Sequence, residues 1–200
     1  MAHFTDLSGL AGIALALAML CHLMPGCRPL GRGAPMAIAG AVFVLLLVPF
    51  TELPLAAYVR GMVGDPSITT LVLLGYAVAQ RNGVLPGPGT PRRIGGLLLL
   101  VLAGCVLYPL ALGAAPYDTY RWGYGDPCFL GLLLALALAG VVWRMPLITL
   151  SISLAVLAWA AGWYESGNLW DYLIDPLLTV YALLALPLAL WKRRLPVCRT

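Results

Sequence analysis

"DPCFLGLLLALALAGVVWR", residues 126–144, decides the fold. An Asp-Pro pair opens it, an uncharged run of mostly Leu, Ala and Gly fills it, and Arg144 closes it. Asp suits a helix N-cap because its carboxylate accepts from the free N–H groups of the first turn. Pro suits the next position, where no N–H is needed. The stretch therefore reads as a helix lying in lipid, with an acid at one end and a base at the other.

Working outward, six further apolar runs repeat the pattern, at 7–24, 35–50, 66–80, 94–113, 146–163 and 172–191. Hydrophobic residues make up 62% of the 200 and charged residues only 10%, with a mean hydropathy of +0.93. A soluble chain carries about 25% charge and could not bury so much apolar surface. At about 20 residues per crossing the chain has room for six or seven spans and little else. The expected fold is an all-α integral membrane protein of about seven transmembrane helices, one polytopic domain over 1–200. The first 24 residues lack a basic start and a small-residue cleavage site, so they are read as a retained first span.

Charge sets the orientation. Arg28, Arg32, Arg81, Arg92, Arg93, Arg144, Lys192, Arg193, Arg194 and Arg199 follow the odd-numbered spans. All eight acids fall on the opposite side, accompanied only by Arg60 and Arg121. Basic loops stay in the cytoplasm, so the N-terminus is expected outside, in the periplasm, and the C-terminus inside. The predicted location is a bacterial inner (plasma) membrane.

The outward loops resemble one another. Each opens with an acid (Glu52, Asp118, Glu165) and closes with Asp-Pro (Asp65-Pro66, Asp126-Pro127, Asp175-Pro176). Asp6, Asp65, Asp126 and Asp175 are therefore expected as helix caps, with Asp175 the least clear because a helix starting near Asn168 would enclose it. Between the caps, the segment "LPLAAYVRGMV" (53–63) reads as a short interfacial helix with Tyr58 and Arg60 at its polar edge.

The remaining outward side chains admit two readings. Trp and Tyr collect at membrane interfaces as an aromatic belt, and the acids would then simply pair with Arg60 and Arg121. Alternatively they form an outward-facing pocket. In it Glu52, Asp118 and Glu165 are the candidate acid/base groups, and Arg60, Arg121, Tyr58, Tyr120, Trp122, Trp163, Trp170 and Asp171 the candidate ligand contacts. Carboxylates would accept from hydroxyls or amines, rings would cover apolar faces, and Arg would grip phosphate or carboxylate.

Other chemistry is not offered. The two histidines, His3 and His22, fall at opposite ends of the first span and so do not offer the facing pair that a bis-histidine haem needs. Cys21, Cys27, Cys105, Cys128 and Cys198 show no paired spacing. No metal and no cofactor are expected, and no nucleic-acid partner. The absence of a mid-membrane charge argues against an ion-coupled carrier. Small residues at four-residue spacing, Ala14 and Ala18 in one span and Gly131, Ala135 and Ala139 in another, suit either internal packing or docking of a partner.

Three functions follow as expectations. The first is a non-enzymatic subunit of a cell-envelope complex, in contact with membrane lipids and a membrane-protein partner or a second copy of itself. The second is an enzyme, or enzyme subunit, acting on a lipid-linked glycan or phospholipid, so that the ligand is lipid-linked or sugar-like. The third is a small-solute binding or transport component.

Overall fold

The computed structural model describes residues 4–25, 34–50, 52–114 and 116–194. His3, Cys27, Arg28, Arg32, Cys198 and Arg199 lie outside the described residues. Every regular element among those described is helical: α1 (Phe4–Leu23), α2 (Ala34–Leu47), α3 (Leu55–Val63), α4 (Ile68–Arg81), α5 (Thr90–Ala111), a 3-10 turn (Thr119–Gly123), α6 (Pro127–Val142), α7 (Pro146–Ala160), α8 (Leu169–Leu173) and α9 (Pro176–Arg194). Three of them, α1, α5 and α9, are long and apolar enough to cross a membrane. Helices α2, α4, α6 and α7 are apolar but have only 14, 14, 16 and 15 residues. At 1.5 Å per residue they reach about 21–24 Å, short of a hydrocarbon core of about 30 Å.

Small residues let the long helices meet. Ala182, Ala185 and Ala189 of α9 are buried in one cluster with Leu97 of α5. Nearer the other end of the pair, Leu107 packs on Ile174 and Leu178. The two helices therefore run antiparallel. A Cβ on Gly104 would come within 2.4 Å of Thr179 Cγ2, so only glycine permits this crossing. In lipid, where no hydrophobic force draws helices together, such close approach is the main source of packing energy. Ala14 and Ala18 are likewise buried, whereas Gly131 and Ala135 on α6 are exposed, and a Cβ added to Gly131 would meet nothing within 4 Å. The two stripes of small residues thus separate: one packs internally and the other faces outward.

Polar contacts gather at the two ends of this bundle. At one end Asp6 of α1, Arg60 of α3, Asp65 before α4 and Glu165 after α7 meet in one ion cluster. At the other, His22 bonds Asn82 at 3.2 Å and Arg81 donates to the Met24 carbonyl at 3.0 Å.

The helix starts refine the sequence reading. Asp126 caps α6, accepting from Phe129 N–H at 2.9 Å. Asp175 caps α9, accepting from Leu178 N–H at 2.7 Å, because Ile174 is extended and separates α8 from α9. Asp65 does not cap α4. Ser67 does, through Thr70 N–H at 3.1 Å, leaving Asp65 two residues upstream and able to turn toward Arg60. Asp6 sits inside the first turn of α1, where it faces Arg60 at 3.7 Å. Asp126→Ala should therefore cost about 1 kcal/mol of thermal stability through the lost cap. Asp65→Ala should cost more, since it removes both hydrogen bonds of the Arg60 guanidinium and leaves it only the longer contacts to Asp6 and Glu165. Equal melting shifts for the two variants would contradict these assignments.

Candidate functional site

The centre of the polar end is Arg60. Its guanidinium donates from Nε to Asp65 Oδ1 at 2.6 Å and from Nη2 to Asp65 Oδ2 at 3.0 Å, a two-pronged pair. Glu165 lies 3.4 Å from the same Nη2, and Asp6 3.7 Å from Nη1. Hydrogen bonding to Asp65, then the charges of Asp65 and Glu165, raise the guanidinium's pKa above its ordinary value against the opposing effect of burial. The amphipathic α3 holds Arg60 here, and α1 approaches closely at Gly9. A Cβ there would lie 2.5 Å from Asp65 Oδ1 and 2.6 Å from Arg60 Cζ.

A second node is the Asp175 carboxylate, only 7% exposed. Besides capping α9 through Oδ1, it accepts at Oδ2 from Ser67 N–H (3.0 Å), the Ser67 hydroxyl (2.8 Å) and the Thr70 hydroxyl (2.5 Å). One side chain thus fastens the starts of α4 and α9 together.

The stretch "WYESGNLWDYLIDP" supplies the third node. Its aromatic rings do not point only to solvent. Tyr164 and Tyr172 stack at 5.2 Å between centroids, and Tyr164 donates to the Pro66 carbonyl at 2.9 Å. Trp170 Nε1 donates to the Thr119 carbonyl at 3.0 Å, while Asn168 caps α8 and donates to the Tyr120 carbonyl at 2.8 Å. Asn168 and Gly123 touch so closely that a Cβ on Gly123 would overlap Asn168 Oδ1 at 1.8 Å. The Tyr120 and Ser166 hydroxyls both donate to Asp171 Oδ2, at 2.8 and 2.5 Å. Burial, followed by the hydrogen bond to Asp171, pushes the Tyr120 phenol well above its ordinary pKa, and burial does the same for Tyr164. Both phenols therefore stay protonated donors at neutral pH.

Where these nodes meet, a cavity of about 320 Å³ opens. Asp65, Asp171, Asp175, Tyr108, Tyr120, Tyr164 and Ser166 supply its polar wall, and Leu107, Ala111 and Ile174 part of its apolar wall. Of the residues expected at a site, Tyr120 and Asp171 line it, together with Asp65 and Asp175, which were expected only as caps. Arg60 stands behind the lining through Asp65, Glu165 through Arg60, and Trp170 through its packing against the cluster of Leu107 and Ile174. The others are placed differently. Asp118 caps the 3-10 turn through Tyr120 N–H at 2.9 Å. Glu52, Tyr58, Arg121, Trp122 and Trp163 are exposed and do not line the cavity.

Sequence reasoning missed Tyr108, Ser67, Thr70 and Ser166. Tyr108 carried a signal, a phenol beside Pro109 near the end of an otherwise apolar run. The hydroxyls carried none, since Ser and Thr in a helix or turn usually bond their own backbone. No protein-family model matches the chain, and no curated protein or solved structure matches it either.

Proposed function

We propose that the chain is a seven-span protein of a bacterial inner membrane, N-terminus outside, that binds a small ligand at its periplasmic end and works as a non-enzymatic binding or transport component. The single observation behind this reading is the cavity formed jointly by the α3–α4 turn, the end of α5, the 3-10 turn and the α7–α9 connection. Its volume falls at the lower end of small-molecule sites, about 300–1,000 Å³, and its wall mixes apolar surface with a few convergent polar groups. The alternation of acidic and basic loops supports the topology. The enzyme reading has less to rest on, because neither Arg60 nor Arg121 lines the cavity to hold phosphate and Asp118 already serves a turn.

A second reading, the subunit of an envelope complex, draws on the outward Gly131 and Ala135 of α6. Native extraction with mass spectrometry separates the two. If the cavity reading holds, the unaltered protein carries an enriched small molecule or lipid, and Ala111→Phe, which fills the cavity, loses it without altering any partner. A stoichiometric protein partner that departs with Gly131→Leu, and no small molecule in either preparation, would sink the binding reading in favour of the subunit.

A further inference from the structure

We infer that the outward cavity takes a small organic cation, an ammonium on an apolar body, rather than a phosphate or a carboxylate. The inference deepens the binding reading above and depends on it. The cavity wall contains three carboxylates and three phenols but no Lys, Arg or His. Arg60, behind the wall, is already gripped by both oxygens of Asp65. Low-dielectric walls with charge of one sign focus the field and concentrate ligands of the opposite sign. An anion would therefore meet a wall in which Asp171 and Asp175 have no paired cation among the described residues.

Within that wall the carboxylates are unequal. Asp65 is engaged by Arg60 at both oxygens. Asp175 is saturated by Ser67, Thr70 and Leu178. Asp171 is half engaged: Oδ2 takes Tyr120 and Ser166, while Oδ1 accepts from no donor among the described residues. An ammonium has donors and no acceptor, so it complements the open oxygen of Asp171. The rings of Tyr108 and Tyr120 add attraction for a cation at close range. A metal ion fits less well, because no three His, Cys, Asp or Glu side chains among the described residues converge as ligands. Leu107, Ala111 and Ile174 leave the remaining wall apolar, suited to a hydrocarbon or ring.

Three probes of one shape and different charge test this: 2-phenylethylamine, 2-phenylethanol and phenylacetate, titrated calorimetrically into the full chain in phosphatidylglycerol nanodiscs. The amine should bind at least tenfold more tightly than the alcohol, and phenylacetate not at all. Asp171→Asn, which removes the charge and keeps the shape, should weaken the amine about tenfold and leave the alcohol unchanged. Equal binding of amine and alcohol would overturn the cation inference while leaving the pocket standing. No heat with any probe would overturn both. The comparison of probes needs no variant, so it stands even where Asp171→Asn does not fold. Repeating the titration in phosphatidylethanolamine nanodiscs locates the source of the ammonium. Weakened amine binding there assigns it to the lipid headgroup, and unchanged binding to a water-borne amine.

Discussion

Asp175→Ala should lower the stability of the protein by about 3–5 kcal/mol, the largest loss expected of any single carboxylate. Four donors converge on this side chain: two backbone N–H groups, of Ser67 and Leu178, and the hydroxyls of Ser67 and Thr70. Each buried donor left without a partner costs about 1–3 kcal/mol, and the lost cap of α9 adds about 1 kcal/mol. The sum is reduced because the Ser67 hydroxyl keeps a contact with Thr70 Oγ1 at 3.1 Å. Asp175→Asn should lose about half as much, since its amide oxygen still serves one end of the bridge while its NH2 faces donors at the other. Unfolding in nanodiscs, followed by tryptophan emission, measures both variants. A loss below about 1 kcal/mol for Asp175→Ala, less than one stranded donor, would show that α4 and α9 are not joined through this group.

The second large effect is at Arg60. Arg60→Ala should cost about 2–3 kcal/mol, below the roughly 3–5 kcal/mol of a fully buried pair, because the guanidinium is 17% exposed and partly screened. It leaves Asp6, Asp65 and Glu165 facing one another with no cation between them. Arg60→Lys should recover only part, since an ammonium cannot grip both oxygens of Asp65. The double variant Arg60→Ala with Asp65→Asn should be more stable than Arg60→Ala alone, because the stranded charge has gone. Additive losses in the double variant would mean that the two residues act separately.

How much of this was legible in the sequence varies with the range of the interaction. The apolar runs at 94–113 and 127–143 correspond closely to α5 and α6, at Thr90–Ala111 and Pro127–Val142. The short helix α3 was equally visible, because a nine-residue segment with Arg on one edge and apolar residues on the other has a helical period. The run at 172–191 begins too early for the helix it marks: Ile174 is extended, so α9 starts at Pro176 and α8 stands apart. Apolar residues continue across that break, and hydropathy does not see a backbone angle.

The polar end divides the same way. Asp126 as a cap depends on residues one to three positions away, and the sequence alone determined it. Asp65 as a partner of Arg60 is also local, five residues apart, yet the Ser67 cap that releases it competes with it and could not be ranked by spacing. Asp171 with Tyr120, Asp175 with Ser67, and Tyr164 with Pro66 join residues 51, 108 and 98 positions apart. What the sequence by itself determined was the lipid-compatible character of the helices, the segregation of charge between loops and the Asp126 cap. Which carboxylate is saturated, which is half open, and that three of them share one cavity were decided only by tertiary structure. Each of those facts depends on distances between loops that helix packing sets, and packing at Gly104, Gly9 and Gly123 turns on the absence of a single Cβ.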